Sequence, residues 1–302
     1  MCATQADQAG LAQDVPSGGA RDATVAASKA LDFQGRPPAG VLSGQIRRTI
    51  LEQSKRAGVG HIGSALSIAD LLAVLFGGAL RVPDVEDPER DRLVLSKGHA
   101  ALALYAALHA TGWLSSEALA SFCTDGSPIA THPEHVVRGV DFSTGSLGQG
   151  LSYAVGAALA ARIQNSPRRA FALLSDAECN EGATWEAAMF AAHHKLGNMI
   201  AIVDVNGQQA LGYTCDVLDL SPMSERWTAF GWDAHDVDGH DLETLGQVLD
   251  GLPVSGRPQV VLARTIFGKG VSYMENTIAW HYLPMSDLQY EMALSELEDG
   301  TA

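Results

Sequence analysis

Residues 170–189 read AFALLSDAECNEGATWEAAM, and residues 201–209 read AIVDVNGQQ. Each stretch opens on an apolar run of strand length that reaches a polar residue, Asp176 in the first and Asn206 in the second. Small residues and then an Ala-rich helical stretch follow Asp176, so the unit reads strand, turn, helix, strand. In a right-handed βαβ unit the C-terminal ends of both strands emerge on one edge of a parallel sheet, where ligands collect. A carboxylate, an amide oxygen and a nearby backbone carbonyl placed there form a hard-oxygen set suited to Mg²⁺ or Ca²⁺, and Mg²⁺ usually completes its shell with phosphates. Free N–H groups at the start of the following helix favour an anion at the same point. Taken alone, the two residues leave a plainer reading equally open: Asp176 caps a helix and Asn206 turns a loop.

The pattern recurs on either side. RDRLVLSKGHAALALYAALHATGW (90–113) reads as a short buried strand, a turn with Lys97, Gly98 and His99, and a helix whose Leu and Ala are core packing. DFSTGSLGQGLSYAVGAALAARI (141–163) is a small-residue turn opening a long helix. IRRTILEQSKRAG (46–58) and SIADLLAVLFGGAL (67–80) read as two helices, joined through the glycine loop GVGHIGS that carries His61. A helix near 222–230, a strand in GWDAHDV, a helix near 241–250 and the strand PQVVLARTI complete the series. The alternation predicts an α/β fold, a parallel β-sheet with helices on both faces. Residues 1–40, rich in Ala, Gly, Ser, Asp and Pro, read as a flexible arm before one domain over 41–302.

A formal net charge of −15 over 302 residues argues against nucleic-acid or anionic-membrane partners, although an anionic substrate can still be held locally. Four widely spaced cysteines without CxxC spacing suggest neither a zinc site nor a disulfide framework. No export signal or membrane span is expected, and a cytoplasmic location fits. His193 and His194 have no partner at metal spacing and read as structural or exposed; Asp236, Asp238, His240 and Asp241 read as a solvated turn.

The spacing of 30 residues between Asp176 and Asn206 resembles the thiamine-diphosphate motif, in which a Gly-Asp-Gly turn precedes an Asn by about that distance. More widely, the chain resembles the N-terminal, diphosphate-binding half of transketolase. GHIGS, DRLVLSKGHAALALYA, THPE, TGSLGQGLSYAVGAALA, EGATWEAAMFAAHHKLGNMIAIVDVNGQQALG and TIFGKGVSYMENTIAWH match in order, from about residue 45 to 287. The resemblance implies that Asp176, Asn206 and the main-chain carbonyl of Gln208 ligate the metal. It implies that His99 and the turn Ser175-Asp176-Ala177 meet the diphosphate, and that Gly145, Ser146 and Leu147 lie against the cofactor rings. Glu181 matches a buried carboxylate near a subunit interface. His61, His99, His132 and His281 match substrate-channel histidines that hydrogen-bond ketose hydroxyls and assist proton transfer.

The implied activity is transfer of a two-carbon ketol unit from a ketose, free or phosphorylated, to an aldose. In the family a glutamate of a following pyrimidine-binding domain activates the cofactor, and this sequence stops where that domain would begin. The expectation is therefore a split enzyme in which a separate C-terminal subunit supplies the domain and the glutamate, most simply as α2β2. The alternatives are a thiamine-diphosphate-binding module without catalysis of its own, or a related enzyme such as 1-deoxyxylulose-5-phosphate synthase or the first component of a two-oxo-acid dehydrogenase. Three departures stand out: Ser175 and Ala177 replace the glycines of the turn, Ile62 replaces a usual Pro, and Tyr282 replaces a usual Gly. Ile62 and Tyr282 flank substrate-facing histidines, which points to a non-standard sugar.

Overall fold

The computed structural model describes residues 36–254 and 256–298. The expected N-terminal arm lies outside the described residues as far as residue 35. The chain runs through α1 (Ala39–Ala57), α2 (Ile62–Ser67), α3 (Ala69–Val74), β1 (Arg92–Leu95), α4 (Ala101–Ala110), α5 (Ser116–Ala120) and α6 (Gly150–Ile163). It continues with β2 (Ala170–Ser175), α7 (Gly182–His193), β3 (Met199–Val205), a small hairpin of β4 (Gln208–Gln209) and β5 (Gly212–Tyr213), α8 (Thr214–Val217) and α9 (Met223–Ala229). It closes with β6 (Asp233–Asp238), α10 (Leu242–Gly251), β7 (Gln259–Arg264) and α11 (Asp287–Glu298).

Five strands form one parallel sheet in the order β1-β2-β3-β7-β6. Alternate residues of its central strands enter two separate cores. Phe171, Leu173, Ile200, Ile202, Val261 and Ala263 pack on one face with α1, α3 and α4 residues such as Ile46, Leu72 and Leu104. Ala170, Ala172, Leu174, Met199, Ala201, Val203, Val260 and Leu262 pack on the other with residues of α6, α7 and α9, among them Leu151, Ala188 and Trp227. Burial on both faces is why these strands are apolar throughout rather than alternating, and the expected α/β architecture is what the chain forms. Because β1, β2, β3 and β7 are neighbours, Lys97, Asp176, Asn206 and Thr265 all follow adjacent strand ends.

One local reading is corrected. The apolar run 67–80 is not one helix: it breaks at Ile68 (φ −101°, ψ 6°) and ends in a π-helical turn, Leu75–Ala79. That turn contains Gly77 and Gly78, each costing a helix interior about 1 kcal/mol relative to Ala. Ile62, expected beside a substrate-facing histidine, directly follows His61 of the cleft wall as the first residue of α2, with its own side chain 1% exposed within the core.

Candidate active site

The strand ends are held together by charge. Lys97 is fully buried; its Nζ donates to Asp204 Oδ2 at 2.5 Å and to the carbonyl of Ser64 at 3.1 Å. Asp204, also fully buried, accepts further bonds from Ser67 Oγ, Thr265 Oγ1 and Asn206 Nδ2, so the ion pair is satisfied on every side. The bond from Nδ2 fixes the flip of the Asn206 amide, and its Oδ1 accepts from Gln208 N at 3.0 Å. Between these two strands, Asp176 is 4% exposed; its oxygens accept from the N–H groups of Ala177 and Gly207, each at 2.8 Å. Burial first, and then the nearby Asp204, push its carboxyl up to about 7.

Neither Ser175 nor Ala177 takes a positive φ, so the turn forms without the glycines expected there. Gly98 is different: a Cβ on it would lie 2.9 Å from Gly145 N and from the Thr144 carbonyl, so only glycine lets these two loops touch. The acid that ties this turn to its neighbours is Glu178, fully buried, which accepts from Ser96 Oγ, Gly148 N and Ser175 N. Burial raises its carboxyl. Glu181, three residues on, is exposed in this chain and borders the cleft.

Above the strand ends is a cleft of about 310 Å³. Its walls bring together the expected His61, His99, His132, Gly145, Leu147, Ser175, Ala177, Glu181, Asn206, Gln208 and His281. Ser146 is exposed and is not among the lining residues; Asp176 borders a neighbouring hollow of about 280 Å³ with Gly207 and Thr214. Three imidazoles form a mutual contact set, with ring centroids 5.4 Å apart for His61–His99, 5.2 Å for His61–His281 and 5.7 Å for His99–His281. His99 Nε2 lies 2.8 Å from Ser64 Oγ, and Phe267 stacks on His281. Burial, reinforced by His132 and Lys97 at His61, by Lys97 and the other cleft imidazoles at His99, and by His61 and Lys97 at His281, holds all three below the ordinary imidazole value, His281 at about 4. Neutral imidazoles carry a donor and an acceptor each, which suits binding and proton exchange with hydroxyls.

Sequence reading missed Ser64, Asn180, Gln209, Ala210 and Phe267 of this wall, and the roles of Lys97, Asp204 and Glu178 beneath it. A signal for the last three was present: an ionisable residue at the end of a buried run must find a partner. His240 is likewise not in a solvated turn. It bonds the buried Asp70 and accepts from Ile266 N, whereas Asp236, Asp238 and Asp241 are exposed as expected. His193 is exposed and His194 half-buried, also as expected.

The residues fit a diphosphate with a hard divalent cation. Seven buried side-chain polar atoms among the described residues have no hydrogen-bond partner, and six of them belong to the cleft: His61 Nδ1, His281 Nδ1, Asn180 Oδ1, Gln209 Nε2 and both amide atoms of Gln208. Unpaired buried polar groups are costly, and a ligand would satisfy them. No cluster of three His, Cys, Asp or Glu suited to a metal occurs among the described residues. What is present, one carboxylate with amide and carbonyl oxygens, suits a cation whose shell is completed by phosphate.

An open parallel sheet with this turn at its strand ends and neutral imidazoles in the facing cleft defines a diphosphate-cofactor-binding enzyme domain. The chain belongs to the transketolase family: residues 41–296 match the family described as transketolase, thiamine diphosphate binding domain. It is 40% identical over 257 residues to the 6-deoxy-6-sulfo-D-fructose transketolase subunit SqwG of Clostridium sp. (strain MSTE9), covering 84% of this chain and 94% of that protein. It is 38% identical to an apulose-4-phosphate transketolase subunit from Phocaeicola vulgatus, covering 84% and 91%. The crystal structure of Campylobacter jejuni transketolase superposes with a TM-score of 0.79 at 31% identity, covering 86% of this chain but 42% of that one. The chain is thus a thiamine-diphosphate-dependent transketolase chain with the span of the proteins named as subunits, not that of the longer transketolases.

Proposed function

We propose that this chain is the N-terminal subunit of a two-chain transketolase that moves a two-carbon ketol unit from a non-standard ketose to an aldose. The observation that carries the reading is the cleft itself, where three neutral imidazoles meet Ser175, Ala177 and Asn206 of the strand ends and nearly all the unpaired buried polar atoms gather, with Asp176 in the adjoining hollow. Bound there, thiamine diphosphate supplies a carbon nucleophile and an electron sink. Asp176, Asn206 and the Gln208 carbonyl would hold Mg²⁺ or Ca²⁺, and Ser175, the Ala177 N–H and His99 would meet the diphosphate. Gly145, Ser146 and Leu147 would border the rings. His61, His99, His132 and His281 bind the hydroxyls of the sugar and exchange protons with them, and Phe267 helps exclude water.

Among the described residues, the cleft lining offers His, Asn, Gln and Ser side chains, which suit the hydroxyls of a sugar, and we assign recognition of an anionic sugar terminus to the partner. The relatives named for a sulfo-sugar and for apulose 4-phosphate support a non-standard substrate. The partner would also supply the pyrimidine-binding domain and the activating glutamate in an α2β2 assembly, with the exposed Glu181 at the contact between chains. Residues 41–302 are read as the diphosphate-binding domain and 1–40 as an arm. No helix among the described residues is long and apolar enough to cross a membrane, and the free thiols of Cys123, Cys179 and Cys215 support a cytoplasmic location.

The test is to purify the chain alone and with the product of the neighbouring open reading frame, then titrate thiamine diphosphate with Mg²⁺ and assay ketol transfer. Binding by the pair and turnover by the pair only are expected. Turnover by the lone chain sinks the two-chain reading, and a pair that binds no cofactor sinks the assignment altogether.

A further inference from the structure

The hairpin β4–β5 carries Gln208, paired with Tyr213 across the ladder and bonded through its N–H to Asn206 Oδ1. Its main chain is thereby fully placed, but its side chain is not explained by that placement. Gln208 is 5% exposed, it lines the cleft, and both Oε1 and Nε2 are buried without a hydrogen-bond partner. Among the described residues with unpaired buried atoms it is the one in which donor and acceptor are both unused. An apolar side chain of the same volume would relieve that cost at once, so nothing in the packing calls for an amide here.

Resting on the cofactor reading above, we propose that the Gln208 side chain is a ligand contact in its own right, separate from the carbonyl of the same residue. Its side-by-side N–H donor and carbonyl acceptor bind a complementary donor–acceptor edge. Two parts of the assembled site offer that chemistry: an amino group beside a ring nitrogen, as in the cofactor's aminopyrimidine, and the hydroxyls of the donor sugar. The amide belongs to the residue whose carbonyl would hold the cation, and it lines the cleft that His61, His99 and His281 face. An unsatisfied amide kept in the cleft wall is a stability cost that ligand binding removes, the pattern expected of a functional residue.

The test uses the full chain with Gln208→Met and Gln208→Leu, which keep most of the volume and delete the amide. In the ligand-free chain the expected Tm is higher than wild type by a few degrees, because an unpaired polar group has been removed. Calorimetric titration of the two-chain enzyme with thiamine diphosphate and Mg²⁺ forms the second arm; about tenfold weaker binding identifies the cofactor edge as the partner. If that affinity is unchanged, the third arm titrates 6-deoxy-6-sulfo-D-fructose and D-fructose 6-phosphate into the cofactor-loaded two-chain enzyme. About tenfold weaker binding there identifies the sugar. A Tm that falls in both variants shows that the amide has an internal partner and overturns the proposal, as do unchanged affinities in both binding arms. Wild type that binds no thiamine diphosphate overturns the cofactor reading and this inference together, an outcome distinct from wild-type binding that the variants retain.

Discussion

His240 Nδ1 lies 2.7 Å from Asp70 Oδ2, while its Nε2 accepts the main-chain N–H of Ile266 at 2.8 Å. The accepting role of Nε2 places the ring proton on Nδ1, so the imidazole links a buried carboxylate to the loop before Phe267. Burial would raise the Asp70 carboxyl, but hydrogen bonds from His240 and Arg47 hold it well below the usual carboxylate range. Phe267 in turn stacks on His281, and a Cβ on Gly63 would come within 2.1 Å of its ring, so this loop has little room to shift. His240 is therefore a positioning residue for the cleft wall.

Replacing His240 with Ala removes both bonds. The expected loss is about 2–3 kcal/mol of stability and, at temperatures where the chain is folded, about a tenfold fall in kcat of the two-chain enzyme. Thiamine diphosphate affinity is expected to stay within twofold, since Phe267 faces the histidines. His240→Gln, which keeps a donor and an acceptor, recovers most of both. Equal kcat for Ala and Gln variants of equal stability argues against the positioning role.

The three neutral imidazoles predict an acid limb. His281 titrates near 4 in the folded chain against about 6.5 for an unperturbed imidazole, and His61 and His99 shift in the same direction. Between those values the unfolded chain binds more protons than the folded one, so their contribution is fully present above pH 6.5 and is lost as pH falls towards 4. In the ligand-free chain the raised Asp176 carboxyl acts in the opposite direction below pH 7, so the imidazole share of the Tm is read by comparing wild type with a variant that leaves Asp176 in place. His281→Gln should decline less steeply over the same window. Parallel Tm profiles for the two proteins would contradict the assignment.

How much of this could be read from the sequence follows from physical range. The parallel sheet was legible because burial on both faces writes an apolar run of strand length, and a polar residue at the end of such a run marks the ligand edge. Lys97 and Asp204 show the same signature, but they are 107 residues apart and pair only because β1 and β3 flank β2. Asp176 is followed by two acids in one short turn. The fold buries Glu178 and exposes Glu181, and a run of small polar residues carries no mark of which it will be. His240 sits in a loop whose own composition is polar, and what packs against it comes from α3 and from the loop after β7.

The Lys97–Asp204 pair predicts a non-additive pair of substitutions. Lys97→Met leaves a buried carboxylate unpaired and is expected to cost about 3–5 kcal/mol in urea unfolding. Lys97→Met combined with Asp204→Asn removes both charges; the one amide oxygen keeps an acceptor for Ser67 Oγ and Asn206 Nδ2, and the amide NH2 faces the Thr265 hydroxyl, which can turn to accept, so the pair should recover more than half of that loss. Additive losses would mean that the two charges act independently.

Tyr282 donates its hydroxyl to the carbonyl of Ala210, joining the loop after His281 to the hairpin that carries Gln208, and its ring packs edge-on to His281. The ring is 56% exposed, so it shapes the cleft mouth rather than the core. Tyr282→Phe breaks only the link between loops and should raise KM for the donor sugar by about two- to tenfold with little change in Tm, since one exposed hydrogen bond is worth about 1 kcal/mol. Tyr282→Gly also removes the ring and should widen the range of ketoses accepted. An unchanged substrate profile for the Gly variant would remove Tyr282 from the specificity of the site.

Ala177 decides whether the missing glycines of the turn weaken the cofactor site. Its φ is not positive and its N–H already points to an oxygen of Asp176, so the methyl group is accommodated without strain. Glycine at this position would therefore loosen the turn without adding a contact. Ala177→Gly is expected to lower stability by about 0.5–1 kcal/mol and to leave the affinity for thiamine diphosphate with Mg²⁺ within twofold. Calorimetric titration of both proteins decides it: binding more than about fivefold tighter in the Gly variant would mean that the loaded turn adopts a backbone conformation alanine resists.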